Sequence, residues 1–196
     1  MAAQDIKAVI FDCFGVLYTD SKQSLLDIVS PERRQELHDV FTANNYGLFG
    51  RKAYLDQVAE IVGKPVDEVA EYIAHEHHLN RKLVAYITDQ LKDVYKIGML
   101  SNIGREWIDS FFTKHQLHEL FDEVVLSGEE GIVKPNPAIF ELAAARLGVE
   151  PSQCIMIDDI PENCDGAIEA GMVGIHFQSN AQLLDDLGAL LGGKNV

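Results

Sequence analysis

Cysteine is scarce in this chain. There are three among 196 residues, Cys13, Cys154 and Cys164, and their spacing forms no Cys-x-x-Cys pair. That excludes a disulfide-stapled scaffold and a thiolate metal site, so buried thiols in a reducing compartment are expected. Positive charge is also short: 16 Lys and Arg stand against 31 Asp and Glu, a formal net charge of −15. A field of that sign repels nucleic acid and anionic membrane surfaces, and neither is an expected partner. It repels phosphorylated compounds at long range too. An anion site must therefore win locally, through a metal, a lysine and backbone N–H groups, which screening within about 8 Å at physiological salt permits. No apolar run approaches the ~18 residues of a membrane span. The opening residues, Met1 to Asp5, lack a basic segment leading into an apolar one, so no signal peptide is expected and the cytoplasm is the expected location. Neither Gly-x-Gly-x-x-Gly nor a Walker lysine motif occurs, which leaves nucleotide binding without support.

What is present is an ordinary apolar share, 47%, enough for a chain of this length to bury a real core. The length itself favours one core plus an insert. Five apolar runs read as strands: Lys7–Phe11, Ile97–Leu100, Glu123–Leu126, Cys154–Ile157 and Val173–Phe177. Several are apolar almost throughout, the pattern of parallel strands covered on both faces. Helices are expected at Trp107–His115, at Asn136–Leu147 and at Pro161–Ala170. The second has Asn136 as N-cap, Pro137 behind it and a stop at Gly148. Alternating strands and helices predict an α/β fold with a parallel five-stranded sheet. Residues 18–93 break the rhythm and read as three or four amphipathic helices. Ser30-Pro31-Glu32-Arg33 opens one, Arg51–Val62 is a second ending at Gly63, and Val66–His75 is a third. Asn80 caps a fourth that runs through Leu91. The insert leaves after the first strand and returns before the second. Residues 1–17 and 94–196 are accordingly expected to form the core, and 18–93 an α-helical cap over its mouth. The Asn44-Asn45-Tyr46-Gly47 turn is a cap loop free to face the site, where Tyr46 serves either packing or substrate. Leu183–Leu191 is an amphipathic helix that covers the core or buries a dimer contact, so monomer and homodimer both stay open.

Chemistry concentrates at element boundaries. Asp12 ends a buried strand, and a carboxylate there is costly unless paired, hydrogen-bonded or metal-bound. The C-terminal end of a parallel strand is also where α/β sheets place ligands. Asp158 and Asp159 follow another apolar strand; their mutual repulsion is relieved by a divalent cation, or one of them caps the helix at Pro161. Mg²⁺ favours oxygen ligands and keeps waters beside one or two carboxylates, so Asp12, Asp159 and one backbone carbonyl suffice, with Asp158 acting directly or through water. Ser101 and Asn102 stand between a strand and a helix, suited either to a phosphate or to capping. Lys134 lies in Gly131-Ile132-Val133-Lys134-Pro135, a loop fixed by proline, within conceivable reach of Asp12 and a phosphoryl oxygen.

Taken together, these segments resemble the haloacid dehalogenase superfamily along essentially the whole chain. The stretches FDEVVLSGEEGIVKPNPAIF and IDDIPENCDGAIEAGM are similar to its phosphatase-like branch. The resemblance implies a Rossmann-like core with a mobile cap, and a Mg²⁺-dependent phosphatase acting on a small phosphorylated metabolite, sugar phosphates included. By position, Asp12 is the nucleophile that becomes an aspartyl-phosphate. The Phe14 carbonyl and Asp159 bind Mg²⁺ with Asp158 in support, Ser101 and Asn102 hold the phosphoryl group, and Lys134 orients Asp12. Asn163 occupies the later polar position of the last motif.

One position departs from that pattern. Phosphatases of the family usually carry a second aspartate two residues after the nucleophile, as general acid and base; here it is Phe14. General acid–base help is worth about 10² to 10⁴ in rate, or roughly 2.7 to 5.4 kcal/mol of barrier. The loss opens two rivals, a metal-independent 2-haloacid dehalogenase and a catalytically weak pseudo-phosphatase. The paired aspartates favour the phosphatase. His75-Glu76-His77-His78 has Leu79 where a zincin needs its second histidine, and is read as a polar helix end.

Overall fold

A computed structural model describes residues 5–192 of the chain. Five parallel strands form one sheet: β1 (Ala8–Phe11), β2 (Lys96–Ser101), β3 (Glu123–Leu126), β4 (Cys154–Asp158) and β5 (Val173–His176), in the order β3-β2-β1-β4-β5. β1 is central, and all four of its side chains are fully buried. The period of two along a strand sends its residues to opposite faces. Ala8 and Ile10, with Leu100 and Met156, meet Ile139, Phe140 and Ala143 of α8 (Pro137–Leu147) on one side. Val9 and Phe11, with Ile97, Met99 and Ile157, face the other, where Leu183 and Leu187 of the last helix belong to the same apolar cluster. The expected α/β, Rossmann-like parallel sheet is what forms.

The helices between strands obey local rules. Asn136 Oδ1 accepts the Ala138 N–H at 3.0 Å and Pro137 follows at the first helical position, so α8 starts where the sequence places it. The expected helix at Trp107–His115 does not form as such. Trp107 is buried, a 3₁₀ turn spans Ile108–Ser110, and a new helix, α6 (Lys114–Leu120), begins after Thr113. The reason is a capping box: Thr113 Oγ1 accepts the Gln116 N–H, and Gln116 Oε1 accepts the Thr113 N–H. Between β3 and α8 lies the one-turn α7 (Ser127–Glu130), and after β4 comes α9 (Pro161–Glu169).

Between β1 and β2 the chain carries α1 (Lys22–Ile28), α2 (Arg34–Asn45) entered through a 3₁₀ turn at Pro31–Arg33, α3 (Arg51–Val62), α4 (Val66–Glu76) and α5 (Arg81–Tyr86). α5 continues as a π-helical turn over Ile87–Leu91, and Asn80 caps it by accepting the Leu83 N–H. α1 exceeds expectation; it has no side-chain cap and buries only Leu25, so it leaves a weak imprint on the sequence. α10 (Asn180–Leu191) closes the described chain, and no described helix is long and apolar enough to cross a membrane.

Candidate active site

β2 and β4 flank β1, so three strand ends open side by side; the chain runs from β1 through β2 to β3 at one edge, then crosses over to β4 and β5 on the other side of β1. Such a switch point is where open α/β sheets bind ligands. Asp12 follows β1, Ser101 ends β2 and Asp158 ends β4. Register pairs Phe11 with both Met99 and Ile157, and the Asp12 N–H donates to the Ile157 carbonyl at 2.9 Å, which fixes the first carboxylate beside the last two.

Lys134 is the hub of the polar network. Its Nζ lies 2.9 Å from Asp12 Oδ1 and 2.5 Å from Asp158 Oδ2, and donates to the Leu100 carbonyl at 3.0 Å. It is 3% exposed, against 5% for Asp12 and 0% for Asp158. Burial alone would pull its ammonium down; the Asp12 and Asp158 carboxylates outweigh that and hold it above the usual lysine range. Asp12 Oδ1 also accepts the Cys13 N–H at 2.7 Å. Among the described residues nothing donates to Asp12 Oδ2. Burial pushes the Asp12 carboxyl up, against the pull of Lys134.

Asp158 is saturated by the protein: besides Lys134, its Oδ1 accepts from the Ile160 N–H and from Asn163 Nδ2. Asn102 does not turn its amide toward the strand ends. Its Nδ2 donates to the Lys134 carbonyl and its Oδ1 accepts the Lys134 N–H, both at 2.9 Å, so it clamps the lysine loop. At the strand ends two buried oxygens are left over. Ser101 Oγ and Asp159 Oδ1 have no hydrogen-bond partner, an arrangement native proteins rarely leave unexplained. Burial and the neighbouring Asp158 raise the Asp159 carboxyl. Asp12, Asp158 and Asp159 offer oxygens within 4.8 Å of one another, the three-residue metal-competent cluster found among the described residues. Gly15 makes room for it: its φ is +91°, and a Cβ there would stand 2.1 Å from the Asp159 carboxylate carbon. An all-oxygen acidic set with an orphaned carboxylate oxygen fits Mg²⁺.

Several neighbours take up contacts that the sequence did not disclose. Phe14 directs its ring at His77 (centroids 5.0 Å apart) and Phe111 (4.9 Å), so an aromatic cluster stands beside Asp12. His77 Nδ1 lies 2.7 Å from the Ile73 carbonyl, and burial lowers its pKa. Ser127 Oγ donates to the Asn45 carbonyl at 2.6 Å and accepts the Ile103 N–H, tying the end of α2 to the sheet. Tyr46 stays exposed, whereas Asn44 turns inward. A cavity of about 50 Å³ separates the inserted helices from the strand ends, with Phe14, Asn44, His77, Asn102 and Trp107 among its walls. A larger groove of about 550 Å³, walled by Tyr18, Leu79, Phe112 and Leu120, includes none of Asp12, Asp158 and Asp159. All three cysteines are free and buried, as expected.

The comparisons with known proteins agree with this geometry. The profile of haloacid dehalogenase-like hydrolases matches residues 6–171, and the chain belongs to that family; it is a hydrolase. A glyceraldehyde 3-phosphate phosphatase from Methanopyrus kandleri is 28% identical over 88% of this chain and 84% of its own length. A sesquiterpene phosphatase from Aspergillus oryzae is 27% identical over 95% and 97%. Among solved structures, a haloacid dehalogenase family enzyme from Bacteroides thetaiotaomicron, crystallised with magnesium and inorganic phosphate, superposes with a TM-score of 0.72. It is 20% identical and covers 91% of this chain and 98% of its own.

Proposed function

We propose that the chain is a Mg²⁺-dependent phosphatase that hydrolyses a small phosphorylated metabolite through an aspartyl-phosphate on Asp12. The observation that carries the reading is the set of leftover oxygens. Asp159 Oδ1 and Ser101 Oγ are buried and unpartnered on either side of a carboxylate whose own Oδ1 is held by Lys134. Asp12, Asp159 and the Phe14 carbonyl would hold the metal, with Asp158 behind them through its grip on Lys134. When bound, it supplies positive charge between two anions that otherwise repel.

The chain's own residues do the rest. Lys134 and the Cys13 N–H fix Oδ1 and leave Oδ2 to attack phosphorus, while the bond to the leaving oxygen breaks. Ser101 Oγ donates to a phosphoryl oxygen. The Asn102 side chain contributes by fixing the lysine loop, which refines its expected part in phosphoryl binding. Water then hydrolyses the acyl phosphate and restores Asp12. Phe14 protonates nothing, so the leaving alkoxide departs with its charge, and turnover favours esters of acidic alcohols and acyl phosphates. Residues 18–93 act as the cap, screening the site from water when seated on the sheet.

The test is hydrolysis of acetyl phosphate and p-nitrophenyl phosphate. Turnover that requires Mg²⁺, stops with EDTA and disappears in Asp12→Asn supports the reading. Halide release from 2-chloropropionate without metal would replace it with the dehalogenase.

A further inference from the structure

The space between cap and core holds more unpartnered polar atoms than phosphoryl transfer uses. Asn44 is 8% exposed and Trp107 is 6% exposed, and both line the cavity beside Phe14. Asn44 Oδ1 and Trp107 Nε1 are each buried with no hydrogen-bond partner. Gly104 leaves Asn44 its room there, since a Cβ at that position would come within 2.1 Å of the Asn44 Oδ1. One acceptor and one donor thus border a space of about 50 Å³, with room for about three or four water-sized groups.

That cavity shares Ile73, His77, Trp107 and Phe111 with a wider chamber of about 270 Å³, into which Arg51 also faces. The Arg51 guanidinium carbon sits 5.0 Å from the centre of the Trp107 ring, and its Nε is buried without a partner. Among the described residues Arg51 forms no ion pair. Glu106 lies over Gly50 at the start of the same helix but outside ion-pair distance of Arg51. In a chain with a net charge of −15, an unpaired arginine stacked on an aromatic face between two layers suits an anion.

Resting on the phosphatase reading, we propose that this chamber is the leaving-group subsite. It selects a short, oxygen-bearing phosphomonoester with an anionic group at the far end. The phosphoryl group sits at Asp12 and Ser101, and the first carbons lie against Phe14. Asn44 Oδ1 accepts from a hydroxyl, Trp107 Nε1 donates to an oxygen, and Arg51 binds the terminal anion.

Binding and turnover are read separately, with 3-phosphoglycerate and glycerol 3-phosphate as a pair that differs in one carboxylate. Titration calorimetry on Asp12→Asn with Mg²⁺ is expected to show 3-phosphoglycerate binding at least about tenfold more tightly, as a hydrogen-bonded charge pair provides. Adding Arg51→Gln is expected to shrink that ratio to within about threefold, and a ratio between two ligands cancels any general loss. Wild-type kcat/KM is expected to show the same preference. Acetyl phosphate turnover with no preference in either readout overturns the subsite and leaves the phosphatase standing. The preference in binding without turnover of any ester or of acetyl phosphate supports the subsite and overturns the phosphatase. If Arg51→Gln fails to fold, Trp107→Phe serves instead; it keeps the ring, and unchanged affinity for both ligands would count against the subsite.

Discussion

Replacing Lys134 by methionine removes one buried cation from between two carboxylates and leaves the rest of the loop intact. At an effective dielectric of about 20, a unit charge 2.9 Å from Asp12 Oδ1 is attracted by roughly 6 kcal/mol, and the Asp158 contact at 2.5 Å adds to that. Desolvation of the ammonium offsets part of the gain. Deleting one partner of a buried pair costs about 3–5 kcal/mol net, because the remaining charges stay buried. For a protein of this size that corresponds to a fall in Tm of about 6–20 °C. The assay is thermal and urea unfolding of wild type and Lys134→Met. The loss is expected to be larger near pH 8 than near pH 5.5, where the raised Asp12 carboxyl takes up a proton and needs no counter-ion. It is also expected to shrink in saturating Mg²⁺, and in the double variant that adds Asp158→Asn. A loss under about 1 kcal/mol, or one indifferent to both pH and Mg²⁺, would refute the reasoning.

Other outcomes follow from the same geometry. Burial raises Asp12 to about 7 and raises Asp159 as well. In metal-free protein the Asp12 contribution to stability is complete below about pH 4 and is lost as pH climbs through about 7, and that of Asp159 falls in the same direction. Mg²⁺ displaces those protons, so the rise in Tm it causes should be greater near pH 8 than near pH 5.5; equal shifts count against a metal on these carboxylates. Gly15→Ala places a methyl group 2.1 Å from the Asp159 carboxylate carbon, at φ +91°, and should weaken Mg²⁺ affinity at least about tenfold by calorimetry. Phe140→Ala, at a fully buried core position, should cost about 3–5 kcal/mol in urea unfolding with no special effect on Mg²⁺ affinity.

The sheet was legible because its strands are apolar nearly throughout and its better helices carry their own punctuation. Asn136, Pro137 and Gly148 state the limits of α8 locally. The Trp107–His115 expectation failed because Trp107, Phe111 and Phe112 look like a helical stripe but pack into the core from a turn. Thr113 and Gln116 carry the true start. At the site, Asp12, Ser101, Lys134, Asp158 and Asp159 were all named, since four of them stand at the ends of legible strands and Lys134 lies in a loop marked by Gly131 and Pro135. What each side chain does there was not legible. That Asn102 clamps the Lys134 backbone, and that Asp158 gives an oxygen to Lys134, depends on loops meeting across more than 20 residues; the Asp158 contacts to Ile160 and Asn163 are local, but depend on how the chain turns into α9. Asn44, His77 and Trp107 reach the site only through packing of the insert on the sheet, which no local pattern encodes.

The most direct measurement is chemical trapping of the phosphoryl group. Enzyme quenched during acetyl phosphate turnover with Mg²⁺ and reduced with borohydride should carry homoserine at position 12, read by peptide mass spectrometry, and none when Mg²⁺ is removed by EDTA. Steady turnover with Asp12 recovered unmodified, or label on another residue, would contradict the account.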